Sequence, residues 1–439
     1  MESQKGPNTG VTPQQRALSV DSNLSGFYTE SAVLSNERNL MKKTIFLLVL
    51  AALLCLGVAS LAEEAQDISA QATFSATSKK QNLKNLTDRK WASAWQGQKG
   101  QSKLEINSPT PIHGLYICWK QEPRAFAIQT KQGGKWVDVQ HFDDQYIAHQ
   151  YYPLDGLTSI RLVPDKDTGK NFGIEELFLL GAGEVPGWVQ RWQPTHEDAD
   201  IMLLFAHPDD EVLFFGGTLP YYGAERGYKV VPAVFTFASP LRRSELLNSL
   251  WLLGITHYPV LGTFEDRYAR DLNAAYKNHG TRKVNEFITG LIRQYKPEVI
   301  ITHDVNGEYG HGVHRLMADA ARKGIGYAQD SSRYPDSFEK YGTFAVQKLY
   351  LHLYKEKGRD AVMEMDWDQP LTAFGGKTGY EMAVEAYDLH LSQHRYEQYK
   401  VEPRDARHSS YRFGLALTTV GEDVLKNDFM ENVVLPPAN

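Results

Sequence analysis

The stretch Ile201-Met202-Leu203-Leu204-Phe205-Ala206 runs directly into His207-Pro208-Asp209-Asp210-Glu211. An apolar run that does not alternate predicts a strand buried on both faces, as in a parallel sheet. Further strands are expected at 230–237, 299–302 and 349–353, with helices near 216–226, 242–253, 281–295 and 314–322 between them. This strand–helix rhythm predicts an α/β, Rossmann-like parallel sheet with flanking helices. Ligands of such sheets collect beyond the carboxyl ends of the strands, which is where 207–211 falls. His207 and Asp210 are three apart across a loop stiffened by Pro208, close enough to point at one ion, and Asp209 stays free for another role. Three carboxylates beside a buried strand are costly unless a cation compensates them.

A second segment has the same form. The expected strand 299–302 ends in His303-Asp304 and is followed by Asn306-Gly307-Glu308-Tyr309-Gly310-His311-Gly312-Val313-His314. His311 and His314 are again three apart, at the start of an expected helix. One of them as a ligand would complete a His/Asp/His set with an open position for water, as hydrolytic zinc requires. The other would then serve as an acid or steady an oxyanion.

Ala206–Glu211, AHPDDE, followed by GEYGHGVHR at 307–315, resembles the PIG-L/LmbE-like N-acetylglucosaminyl deacetylases. The resemblance implies His207, Asp210 and His314 as metal ligands and Asp209 as the general base. It implies His311 as the residue that protonates the leaving amine or steadies the oxyanion. The family's Arg-x-x-Glu looks like Arg242-Arg243-Ser244-Glu245, which makes Arg242 a substrate-binding candidate, with Glu245 as its possible ion partner. Asp266 falls where a substrate hydroxyl contact is plausible. Zinc is the expected single ion, with Fe2+, Mn2+ or Co2+ as alternatives. The family commonly has His-Pro-Asp-His at the second motif, whereas Gly312 and Val313 stand in the middle here. The support that the missing aspartate would give must come from Asp304, Glu308 or a C-terminal group.

Upstream, residues 66–184 read as an all-β sandwich or jelly roll: short alternating runs separated by turns such as Gln132-Gly133-Gly134 and Leu154-Asp155-Gly156. Trp91, Trp95, Lys135-Trp136-Val137 and Asn171-Phe172-Gly173 look like a discoidin-type galactose-binding-like domain. Its tryptophans are expected mainly as core plugs, with stacking on a sugar as the alternative. A linker at 185–198 leads to the deacetylase-like domain at 199–439. Residues 41–62, with Lys42-Lys43, an apolar run at 45–58 and a small-residue site, read as a signal peptide. The run is short of the roughly 20 residues a membrane span needs. Residues 1–40 read as a polar extension from an upstream start. Export is therefore expected, with a signal-anchored form as the alternative. Of the two cysteines, only Cys118 would remain after cleavage, so no intrachain disulfide is expected.

The chain has 439 residues, 42% apolar and 23% charged, with 47 Lys plus Arg against 53 Asp plus Glu, a net charge of −6. That balance speaks against a nucleic-acid partner, and no stable protein partner is expected. Together these readings predict a secreted, metal-dependent N-deacetylase acting on N-acetylhexosamine units of a glycan, with possible glycan binding by the sandwich. The alternatives are a carbohydrate-binding surface protein with a spent hydrolase domain, or an amidase for a non-sugar acyl amide.

Overall fold

A computed structural model describes residues 63–77, 82–98, 102–122, 125–143, 146–165, 172–355 and 362–437. The expected polar extension and signal peptide lie outside them. Among the described residues no helix is long and apolar enough to cross a membrane. Residues 63–439 form one compact unit.

The first half is an antiparallel sheet of seven strands: β1 (Thr73–Ala76), β2 (Trp95–Gln96), β3 (Leu104–Gln121), β4 (Phe126–Gln132), β5 (Lys135–Phe142), β6 (His149–Pro164) and β7 (Gly173–Leu180). Their order is β2-β7-β3-β6-β4-β5, with β1 paired to β3. Trp95 and Trp119 are fully buried in its core. Trp95 meets Phe172 edge-on and Trp119 meets Phe126 edge-on, at 5.1 and 5.5 Å between centroids. The tryptophans expected as plugs divide into three roles. Trp95 is core. Trp136 lies on β5 beneath the Arg161 guanidinium, 4.4 Å from its ring. Trp91 stacks on His149, 5.6 Å away at 17°. Cys118 is free and buried on β3.

The second half is a sheet ordered β10-β9-β8-β11-β12-β14-β13, built from β8 (Ile201–Phe205), β9 (Val230–Phe237), β10 (Val260–Glu265), β11 (Val299–Thr302), β12 (Lys348–His352), β13 (Val362–Glu364) and β14 (Arg412–Thr418). Every residue of β8, β11 and β12 is buried. Burying each large aliphatic side chain in them contributes about 1.5–3 kcal/mol. The chain leaves β8 toward β9 on one side and reaches β11 on the other. The crevice between the carboxyl ends of β8 and β11 is thus a topological switch point, where α/β sheets bind ligands. Helices α1 (Asp210–Leu213), α2 (Pro240–Leu252), α3 (Leu272–His279), α4 (Thr281–Tyr295), α5 (Gly312–Gln329), α6 (Pro335–Tyr341) and α7 (Gly379–Tyr387) accompany it.

The expectation of a wholly parallel sheet needs correction. Strands β8–β12 are parallel, but β14 pairs antiparallel with both β12 and β13. Half-covered β14 shows buried and partly exposed positions instead of a continuous apolar run, and antiparallel strands toward the edge of an otherwise parallel sheet are common. One helix also differs. The one expected at 216–226 is a π-helical turn at Pro220–Glu225. Beyond the expected helices, Leu391–Gln393 form a 3-10 turn after α7.

Candidate metal centre

The loop after β8 is wound so tightly that the backbone N–H of His207 donates to Asp210 Oδ2 at 2.7 Å. Within it Asp209 has φ +125°, ψ −27°, a conformation that a non-glycine residue holds only when its surroundings fix it. They do so through Glu211. This buried carboxylate accepts from Asp209 N–H at 2.8 Å, from Ser249 Oγ at 2.8 Å and from His390 Nε2 at 2.6 Å.

The loop after β11 is built on glycine. Gly307 has φ +71°, and a Cβ there would lie 2.4 Å from the His311 carbonyl oxygen. Gly312 opens α5 with its N–H donating to Ala269 O at 2.8 Å, and a Cβ there would come within 2.4 Å of Asp271 O. Position 312 therefore has no space for a side chain. The support the missing aspartate would give comes from Glu308, one of the three sources expected. Glu308 accepts from Nδ1 of His314 at 2.6 Å, of His303 at 3.1 Å and of His352 at 3.0 Å, and from Asp304 N–H at 3.0 Å.

These two loops bring donor atoms of three residues together, with both oxygens of Asp210 facing the two imidazoles. His207 Nδ1 is 3.1 Å from Asp210 Oδ2 and 3.3 Å from His314 Nε2, and His314 Nε2 is 3.4 Å from Asp210 Oδ1. A tetrahedral ion with bonds of about 2.0–2.1 Å spaces its ligands about 3.3–3.4 Å apart, so the set fits a zinc-sized cation. His314 is held in the required form, because Nδ1–H donates to Glu308 and Nε2 keeps its lone pair for the cluster. His303 Nε2 lies 3.3 Å from Asp210 Oδ2, but its lone pair already accepts from Ala206 N–H at 3.1 Å. His303 in this form has neither a free lone pair for an ion nor a proton for Asp210, and its place at the end of β11 was the one signal available in the sequence.

Burial would raise the Asp210 carboxyl, but His314, His207 and His303 outweigh it and hold it well below the usual carboxylate range. Asp209 goes the other way. Burial, reinforced by Asp210, pushes it up to about 7 against the opposing pull of Arg242. Burial together with His207 and His314 pushes His311 down to about 2. His311 lies 4.8 Å from His207, ring to ring, and its Nδ1 is shielded without a hydrogen-bond partner. Arg242 donates to Pro208 O and pairs with Asp209 Oδ1 at 3.0 Å. Asp266, partly exposed, stands 3.6 Å from His207 Nε2 and 3.9 Å from Arg242 Nη1. Glu245, the expected ion partner of Arg242, instead accepts from Ser392 N–H and Oγ at 2.7 and 2.6 Å.

Helix α2 joins this site to the antiparallel sheet. Ser239 caps it by accepting from Arg242 N–H, and Pro240 opens it. Its next residues face different neighbours. Arg243 donates to Trp119 O at 2.5 Å and pairs with Glu122 at 2.8 Å. Ser244 Oγ contacts Glu175 Oε2 at 2.5 Å and His149 Nε2 at 3.0 Å. Burial pushes Glu175 up to about 7, and burial with Arg243 pushes His149 down to about 3. Sequence reasoning missed Glu211, His303, His390 and His352 as parts of the site. Glu211 lay inside the quoted motif, whereas His390 is 179 positions from its partner.

Residues 202–325, which span both loops, match the family model described as PIG-L: GlcNAc-PI de-N-acetylase. A 1D-myo-inositol 2-acetamido-2-deoxy-alpha-D-glucopyranoside deacetylase 1 of Frankia casuarinae is 26% identical over 200 residues, covering 39% of this chain. The chain spans 64% of that relative's length. Among solved structures, N,N'-diacetylchitobiose deacetylase from Pyrococcus horikoshii aligns at TM-score 0.33 and 20% identity, covering 48% of this chain and 74% of that one. A family 32 carbohydrate-binding module of Clostridium perfringens NanJ aligns at TM-score 0.23 and 15% identity, over 26% of this chain and 98% of that one. The region that builds the centre is therefore similar to deacetylases, enzymes that hydrolyse an amide.

Proposed function

We propose that this chain is an exported, metal-dependent N-deacetylase that removes acetyl groups from N-acetylhexosamine units of a glycan. The observation that carries the reading is the convergence of His207, Asp210 and His314 at the edge lengths of a tetrahedral site, with Asp209 beside them and not among them. The deacetylases to which residues 202–325 are similar support the N-acetylated sugar as substrate. The signal-like segment 41–62 supports export.

His207, Asp210 and His314 would hold the ion, zinc being the first choice for this donor set. Such an ion supplies polarisation of the acetyl carbonyl and a lowered water pKa. Asp209 takes the proton of the attacking water, and its raised proton affinity suits it to carry that proton near neutrality. The Arg242 guanidinium fixes the carboxylate for this task. His311 favours the neutral form, so its part is to donate a hydrogen bond to the developing oxyanion, not to act as the resting acid. The C–N bond then breaks as Asp209 returns the proton to nitrogen, leaving acetate and a free amine. Asp266, at the rim, is the candidate contact for a sugar hydroxyl.

The test is acetate release by the zinc-loaded protein from N-acetylated glycans, with Asp209→Asn as control. Wild type should release acetate. The variant should keep its metal and lose roughly 10²–10⁴-fold in rate. Loss of metal from Asp209→Asn would overturn the assignment of Asp209 as a base.

A further inference from the structure

The two imidazoles of the centre are not equally supported. A histidine that binds a metal through one ring nitrogen almost always donates the N–H of the other to a carboxylate, a carbonyl or water, which fixes tautomer and ring angle together. His314 is held in this way, with Nδ1 facing Glu308 Oε2 at 2.6 Å while Nε2 faces the cluster. His207 enters the cluster the other way round, through Nδ1, so as a ligand it must carry its proton on Nε2. That nitrogen is shielded and has no hydrogen-bond partner among the described residues. A buried N–H left unpaired costs about 1–3 kcal/mol. The group that faces it is Asp266, with Oδ1 3.6 Å away.

Asp266 is placed to supply that partner. It directly follows β10, as His303 directly follows β11, and so stands at the same carboxyl-terminal edge of the sheet as the metal centre. Its side chain is partly exposed, and a shift of about half an ångström would bring the pair to hydrogen-bond distance. The arginines on either side of Tyr268 and Ala269 are engaged by other carboxylates, Arg267 by Glu265 at 2.6 Å and Arg270 by Asp271 at 3.1 Å. Asp266 Oδ2 faces Arg242 Nη1 at 3.9 Å, the guanidinium that pairs with Asp209. We infer that Asp266 is the positioning carboxylate of His207: Oδ1 accepts from Nε2–H and holds the imidazole with its Nδ1 lone pair toward the ion. The inference rests on the metal-dependent reading and adds a residue to it. Only Oδ1 is committed, so Oδ2 keeps its place beside Arg242, and the contact proposed for a sugar hydroxyl stands.

The experiment is competition for zinc between a chromogenic chelator and the wild-type, Asp266→Ala and Asp266→Asn proteins, without substrate and with circular dichroism as the check on folding. Asp266→Ala should hold zinc about 10–100-fold more weakly than wild type. Asparagine keeps an oxygen that can accept from Nε2–H but loses the charge, and a neutral hydrogen bond has about half the strength of a charge-assisted one. Asp266→Asn should therefore fall between the two, about 3–10-fold weaker than wild type. A folded Asp266→Ala protein that holds zinc within about twofold of wild type overturns the inference, since a residue that touches only substrate would leave zinc binding unchanged. An asparagine variant as weak as the alanine one overturns it as well, because loss of charge and not of the acceptor would then be the cause. The two readings fail separately. A wild type that binds no zinc removes the metal-dependent reading itself. Tight binding by wild type and by Asp266→Ala alike sustains that reading and removes only the role of Asp266.

Discussion

Replacing Glu308 by Gln changes one oxygen of a carboxylate to NH2 and leaves the volume almost intact. Glu308 Oε2 faces only His314 Nδ1, at 2.6 Å, while Oε1 faces His303 Nδ1, His352 Nδ1 and Asp304 N–H. An amide can keep one side or the other as acceptor. Keeping the three contacts on Oε1 turns NH2 toward His314 Nδ1. That imidazole must then accept at Nδ1, which puts its proton on Nε2, the atom 3.3 Å from His207 and 3.4 Å from Asp210. The lone pair needed by a metal would be lost without any ligand being mutated. The opposite flip keeps His314 but sets NH2 against three donors, which is the worse exchange.

Changes to such supporting groups typically cost 10–100-fold in metal affinity, or about 1.4–2.8 kcal/mol. The one charge-assisted bond lost costs about 1.5–3 kcal/mol, which agrees with that range. Competition with a chromogenic zinc chelator would measure it, with circular dichroism confirming that the variant is folded. A Glu308→Gln protein that is folded and holds zinc within twofold of wild type would refute this account of how His314 is kept ready.

Three further outcomes are expected. Glu175 is pushed by burial from its ordinary 4.5 up to about 7, so the folded state binds more protons between those values. Stability should therefore fall as pH rises through that window, by at most about 3 kcal/mol. Glu175→Gln should flatten the dependence in urea denaturation at pH 5 and 8, and an unchanged slope would count against it. Arg242→Gln removes the cation that holds down the proton affinity of Asp209. The acidic limb of its kcat/KM profile should move to higher pH while metal content stays the same, and an unmoved limb would contradict the pairing. Gly312→Ala would press a methyl against Asp271 O, 2.4 Å away, and should cost about 1–3 kcal/mol in thermal or urea unfolding; a neutral effect would show that the loop yields freely.

The parts of the fold that could be read from the sequence were those with a strong local pattern. Strands β8 and β11 are buried on both faces, and their unbroken apolar runs recorded that directly. His207, Asp210 and His314 follow at their ends, so the spacing of each pair put them within reach of one ion. Strand β14 left a weaker trace, because its register is set by partners on β12 and β13 far away in the chain. His390 was hidden for the same reason: its value to the site is a contact with Glu211 that only the folded chain creates. Glu211 was counted only as one of three clustered carboxylates, and its burial and its contacts show that it props Asp209. The role of Gly312 depends on the carbonyl groups of Ala269 and Asp271, which no motif encodes.

Helix α2 has one last consequence, for reach. Its opening turn holds Asp209 through Arg242 and, at the next two positions, the antiparallel sheet through Arg243 and Ser244. A module on a flexible tether samples a volume around an enzyme, and the tether length sets how far along a polymer it works. Here the tether is replaced by a rigid turn of helix. A ligand held on the sheet's outer surface would be presented to the metal centre at one distance and one angle, as by a ruler. Lengthening the 185–198 segment would leave that distance unchanged, whereas cutting the sheet away would strip Arg243 and Ser244, next to the residue that steadies Asp209, of their partners.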